Sequence, residues 1–259
     1  MKPGQFNRRR FLLASLLSAP LLAVADARWL EPTWVKIRRL RLGNRKPTHR
    51  VVHFTDVHYK GDRAYLAWVV RKINALSPDF VCFTGDLVEE TRHLPEALEA
   101  FGSLKSPLYG VPGNHDYWSH APFDTIAQCF AGTGGAWLPD QQQVTADGQF
   151  SIIGATCLGA KQPPIQTHAA TRNIFLMHYP NWVKRLGAQQ FELLLAGHSH
   201  GGQVWIPLYG PVYVPFGVDE YARGLFQTEC GPLYVNPGIG WFPWPIRFNC
   251  RPEITVFEM

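Results

Sequence analysis

Five short apolar runs in this chain each stop in the same kind of residue. "RVVHF" (50–54) runs into Thr55, Asp56, Val57 and His58, and "DFVCF" (79–83) into Thr84, Gly85 and Asp86. "LYGV" (108–111) leads to Pro112, Gly113, Asn114, His115 and Asp116, "IFLM" (174–177) to His178, and "ELLLA" (192–196) to Gly197, His198, Ser199 and His200. The runs are rich in Val, Ile, Leu and Phe and bounded by Gly, Pro, Asp or Asn, which reads as buried strands. In open α/β sheets, function gathers where strands end at their carboxyl edge. Whatever fold forms, it has five donor-bearing strand ends to accommodate.

Helical patterns lie between several of the runs. Residues 62–76 carry apolar side chains at 66, 69, 70, 73 and 76. Residues 94–104 form a second pattern, with Pro95 at an early position where a missing N–H costs little, and residues 121–130 a third. Strands alternating with helices predict an α/β layout for the first half. Residues 144–160 and the chain after 203 read as strand-rich, and "WIPLYGPVYVPFG" (205–217) has too many prolines for a helix. "KIRRLRLGNRK" (36–46) reads as an edge strand with a solvated basic face, the alternative being contact with an anionic surface.

Of ten histidines, five (58, 115, 178, 198 and 200) fall in the strand-end junctions. One such histidine is more often a satisfied core or surface residue than a ligand. Five junctions in one chain are hard to explain that way. Asp, Asn and His are donors suited to Mn, Fe, Zn or Co. Seven such donors exceed the ordinary coordination of one ion, so two ions are expected, with Asp86 as a carboxylate able to hold both. His198 and His200 can serve different ions only if the chain bends between them, since residues two apart on a straight strand face the same way. Gly201 and Gly202 supply a turn free of side chains at that point.

The N-terminus reads as an address. "NRRRFLL" (7–13) precedes an apolar stretch, and "ADA" (25–27) follows as a small-x-small cleavage signal. The stretch is short for a membrane span. Arginines placed just before Phe-Leu resemble the twin-arginine export signal. Residues 1–27 hold four cations against one carboxylate, a net of three, which leaves +2 of the overall +5 for the rest. With no basic stripe beside the motifs, no nucleic-acid partner is expected. Five cysteines (82, 129, 157, 230, 250) lack CxxC spacing and read as neither a zinc site nor a disulfide framework, although Cys230 and Cys250 have the option of pairing. "GWFPWPIRF" (240–248) is read as core packing between prolines, the alternatives being a site lining or a membrane contact.

The ordered set Asp-x-His, Gly-Asp, Gly-Asn-His-Asp, His and Gly-His-x-His resembles the calcineurin-like metallophosphoesterase family over residues 50–259. The resemblance implies two facing β-sheets flanked by helices, a four-layer α/β sandwich with a dinuclear metal centre at strand carboxyl ends. Carried over by motif, Asp56, His58, Asp86 and His200 would hold one ion, and Asp86, Asn114, His178 and His198 the other. "EPTW", "GNHDYW", "GHSHGGQ" and "PIRFNCRPEI" resemble the exported bacterial phosphodiesterase branch. Glu89 and Glu90 stand where phosphoprotein phosphatases carry Asp-Arg, and Glu89 where purple acid phosphatases carry an iron-ligating Tyr, so both are poor matches.

The expected organisation is a signal segment (1–27), a lead-in strand segment (28–49) and a phosphoesterase domain (50–259). The expected function is hydrolysis of an envelope or small-molecule phosphodiester by a hydroxide held between two divalent metals. His115, outside the implied ligand set, stands at the metal edge as a general acid or as a prop for its loop. Asp116 reads as holding that loop. Two alternatives stand: a UDP-2,3-diacylglucosamine pyrophosphatase-like hydrolase, which works at the cytosolic face and fits an export signal poorly, and a metal-binding scaffold without turnover. The expected substrate is a small-molecule or lipid phosphoester, and the expected location is the outer side of the inner membrane, periplasmic or peripheral.

Overall fold

The computed structural model describes residues 8–43, 46–158, 167 and 170–259. The start of the expected export segment, residues 1–7, lies outside them. The strands in chain order are β1 (Lys36–Arg41), β2 (Arg50–Phe54), β3 (Phe80–Phe83), β4 (Leu108–Gly110), β5 (Ala136–Trp137), β6 (Gln142–Val144) and β7 (Phe150–Gly154). They continue as β8 (Arg172–Leu176), β9 (Leu193–Ala196), β10 (Trp205–Ile206), β11 (Gly210–Pro211), β12 (Gly224–Thr228), β13 (Gly231–Val235) and β14 (Glu253–Glu258). The α-helices are α1 (Arg8–Ala25), α2 (Arg63–Ala75), α3 (Leu94–Gly102), α4 (Asn114–Trp118) and α5 (Phe123–Gly132).

Two six-stranded sheets face one another. The first runs β1-β14-β2-β3-β4-β5 and the second β12-β13-β9-β8-β7-β6. Strands β2, β3 and β4 are parallel, with Phe54 opposite Phe83 and Phe83 opposite Gly110, so three strand ends fall on one line. In the second sheet β8 and β9 are parallel, with Leu176 opposite Leu195. These strands are buried on both faces, which is why they read as unbroken apolar runs. A core between the sheets joins Val51, Phe80 and Tyr109 to Ile174, Leu193 and Tyr234.

The outer face of the first sheet is covered by α2, α3 and α5. Leu66, Val69, Val70 and Ile73 form the inward stripe of α2, and Leu94, Ala97, Leu98 and Phe101 that of α3. The outer face of the second sheet packs on Trp182 and Val183, from the 3₁₀ segment Pro180–Arg185, and on Phe191, so among the described residues this layer contains no α-helix. The basic segment forms β1, an edge strand paired parallel to β14. Helix α1 exposes Leu12, Leu16, Leu17, Leu21 and Leu22, and among the described residues no helix is long and apolar enough to cross a membrane. Cys230 and Cys250 are separate free thiols, the first against the Val183 and Gly187 carbonyls and the second against those of His200 and Gly201.

Candidate metal centre

The loops that follow β2, β3, β8 and β9 meet between the two sheets, and they meet through fixed backbone contacts. Asp56 N–H donates to the Gly85 carbonyl (2.9 Å) and His58 N–H to that of Asp86 (3.0 Å). The His198 amide donates to both Asp56 oxygens, each at 3.0 Å, which ties the second sheet to the first. Asp116, fully buried on α4, accepts from the amides of Asp86 (2.9 Å), Leu87 (2.8 Å) and Gly113 (2.8 Å) and so holds the loop, as its sequence position suggests. Burial pushes its carboxyl up to about 6. Gly113 has no room for a side chain: a Cβ there would lie 2.1 Å from Asp86 Oδ1.

All seven sequence-predicted donors are buried, and their atoms converge in two overlapping groups. Asp56 Oδ1 is 3.5 Å from His200 Nε2 and 3.9 Å from His58 Nε2, and the two imidazole nitrogens are 2.9 Å apart. Asn114 Oδ1 is 3.0 Å from His178 Nε2, which is 3.1 Å from His198 Nδ1. Asp86 Oδ2 stands between the groups, 3.5 Å from His58 Nε2 and 3.2 Å from His178 Nε2. His198 and His200 point apart because the chain does bend: both adopt left-handed backbone, with φ of 67° and 49°. Asp56, His58 and Asp86 do the same, at φ of 50°, 42° and 59°. Non-glycine residues in this region carry strain that clusters at functional sites.

Outer contacts fix which ring nitrogen faces inward. His58 Nδ1 bonds Glu89, His178 Nδ1 donates to the Thr84 carbonyl (2.7 Å), and His198 Nε2 donates to the Phe216 carbonyl (2.7 Å). With those contacts made, the inward nitrogen of each neutral ring presents a lone pair. The centre gathers carboxylate oxygens, an amide oxygen and imidazole nitrogens, the donor types that hold divalent metals, and the orienting contacts on the far ring nitrogens of His58, His178 and His198 are those of metal-bound histidines. The carboxylates favour positive charge at this point. Burial works against charge on His58 and His178, yet the carboxylates of Asp56, Glu89 and Asp86 around them push both up to about 9. Burial takes His198 down to about 4. Groups able to hold an ion are Asp56/His58/His200, Asp86/His178/His198 and His58/Glu89/His115.

His115 stands at the edge. Its backbone N–H donates to Asp86 Oδ1 (2.8 Å), while its ring meets Glu89 Oε2 through Nδ1 (3.0 Å) and packs against Phe242 (4.5 Å between centroids) and Trp118 (4.7 Å). Sequence reasoning used Glu89 only to exclude other branches. In the structure its two oxygens serve His58 and His115 separately. The sole signal in the sequence is its place just past the Gly-Asp junction.

The aromatic segment 240–248 corrects an expectation. Its buried side chain is Arg247, whose guanidinium donates to the carbonyls of Pro237, Gly240 and Cys250. Phe242 is 39% exposed and stacks on His58, and Trp244 is 69% exposed. Phe242 lines the mouth of the site, joined by exposed Trp118, which packs on His115, and by Phe216, whose carbonyl meets His198.

A profile of the calcineurin-like phosphoesterases matches residues 49–202. Over 98% of its length the chain is similar to the metallophosphoesterase YkuE of Bacillus subtilis (28% identical, 98% of that protein). It is also similar to the phosphodiesterase YaeI of Escherichia coli (30% identical, 98% of this chain and 99% of that protein). A third relative is the UDP-2,3-diacylglucosamine pyrophosphatase LpxG of Chlamydia trachomatis (30% identical, 95% of each).

Proposed function

The chain belongs to the calcineurin-like phosphoesterase family and is a hydrolase, and we propose that it cleaves an envelope or small-molecule phosphodiester, using two divalent ions. In this reading Asp56, His58, Asp86 and His200 hold one ion, Asp86, Asn114, His178 and His198 the other, and Asp86 is shared. Bound there, the ions supply charge for the phosphoryl oxygens and a nucleophile from water at neutral pH. The residues of the chain do the rest. His115, held at the rim by Glu89, protonates the departing oxygen. Phe242 and Trp118 shield His115 from water and offer an apolar surface beside it. The observation that carries the reading is the convergence of carboxylate, amide and imidazole ligand atoms around Asp86 Oδ2. Asp86→Ala is expected to lose both ions together in metal analysis. Retention of two tightly bound ions would refute the shared role.

The exposed apolar rim at Trp118, Phe216 and Phe242 favours a second reading, a lipid-linked sugar pyrophosphate as substrate, in line with the activity that names LpxG. A substrate screen of the metal-defined protein against small diesters and a lipid sugar diphosphate separates the two. Export is also part of the proposal, supported by the arginines that precede Phe11. Replacing Arg8, Arg9 and Arg10 with Lys should leave the protein in the cytosol on fractionation. Undiminished transport would remove the twin-arginine reading.

A further inference from the structure

Where the sandwich opens on its β1 and β12 side, a cavity of about 340 Å³ lies between the edges of the two sheets. Its walls carry four cations: Lys36 and Arg38 from β1, Arg223 beside β12, and Arg251 before β14. Among the described residues none of the four forms an ion pair. The three arginines are nevertheless held in place. Arg223 donates to the Asn249 carbonyl (2.7 Å) with its guanidinium 3.8 Å from the Trp205 ring centroid. Arg251 donates to the Trp34 carbonyl (2.8 Å) and lies 3.7 Å over the Trp34 ring, and Arg38 sits 5.7 Å over Tyr234.

Two carboxylates share the cavity, and each is engaged elsewhere. Glu253 accepts from the Tyr234 and Thr255 hydroxyls, and Glu31 accepts from the Cys250 amide (3.3 Å). Four cations against two carboxylates, three of the cations positioned and none in an ion pair, around a volume in the range of small-molecule sites, constitute a receptor for a multiply charged anion. The cavity is separate from the metal centre but shares a wall with it. Gly201, next to His200, lies so close to Arg223 and Pro237 that a Cβ there would stand 3.2 Å from Arg223 Cδ and 3.1 Å from Pro237 Cβ.

We propose that this cavity is a second anion site that takes a phosphate-bearing group, from a free phosphorylated molecule or from a phospholipid headgroup. The inference does not depend on which substrate the metal centre cleaves. The test uses the full-length, metal-loaded chain and two probes, inorganic pyrophosphate by calorimetry and vesicles of phosphatidylcholine with or without phosphatidylglycerol by flotation. Because pyrophosphate can also engage the metal centre, titrations are repeated in Asp86→Ala, the variant expected to lose both ions. Lys36 and Arg38 lie on the edge strand β1 and are not among the proposed ligands, so in Lys36→Glu and Arg38→Gln turnover of a nitrophenyl phosphodiester should stay at the wild-type level and report an intact fold. In the Asp86→Ala background each is expected to weaken pyrophosphate about tenfold or more, the usual effect of losing one charged hydrogen bond. If instead only the phosphatidylglycerol-dependent flotation falls in these variants, the site takes a lipid headgroup. If pyrophosphate affinity and flotation both remain at wild-type values in both variants, the proposal is overturned.

Discussion

Glu89 accepts from two histidines that do different work, one oxygen to His58 and the other to His115. A single substitution here therefore touches both metal retention and proton transfer, whereas His115→Ala touches only the second. His115→Ala is expected to keep two metals and lose about 10²- to 10⁴-fold in rate on substrates with poor leaving groups. A nitrophenol leaving group should suffer less. Glu89→Gln should weaken metal retention and activity by about 10- to 100-fold, the usual cost of removing a partner that orients a ligand. Parallel metal analysis and kinetics on both substrates check the pair. Equal metal loss in the two variants would place His115 among the ligands or their props. The donors themselves were legible because each ends an apolar run. Glu89 was not, because its role exists only once β2 and β3 lie side by side and bring His58 within reach. The left-handed backbone at Asp56, His58, Asp86, His198 and His200 was equally hidden, since no glycine marks those positions.

The strands ending in donors and the helices α2, α3 and α5 fall close to where periodicity puts them, because each buries a local apolar pattern. The short pieces were silent: β5 and β6 hold two and three residues, and α4 five, too few to show a period. Segment 240–248 misled because aromatic density usually means burial, while here Arg247 takes the interior by donating to loop carbonyls. The layer of α-helices is riveted by Phe101, which is fully buried between Phe54 (5.4 Å), Phe83 (5.3 Å) and Phe130 (6.2 Å). Phe101→Ala should cost about 3–5 kcal/mol by leaving a cavity under β2 and β3. Urea denaturation measures it, and a loss below about 1 kcal/mol would mean that the layer collapses around the gap.

At the scale of the molecule, the segment between α1 and β1 belongs to the body. The Ala27 carbonyl accepts from the Arg247 amide (2.9 Å), Glu31 is buried, and Trp34 is clasped by Arg251. Helix α1 beyond it presents Leu16, Leu17, Leu21 and Leu22 to solvent. A chain lacking residues 1–25 should therefore melt at the full-length temperature, and one lacking residues 1–34 should melt several degrees lower. Equal melting of the two would show that the segment adds nothing to the body.

The placement of β14 has a consequence for synthesis. Although it follows every other described strand in the chain, it lies inside the first sheet, parallel to β1 on one side and antiparallel to β2 on the other. Until Glu253–Glu258 has left the ribosome, β2 has no neighbour on that flank. The strand that carries Asp56 and His58 at its end is therefore seated long after it is made, and a chain cut before Glu253 would hold every donor with no finished sheet to aim them.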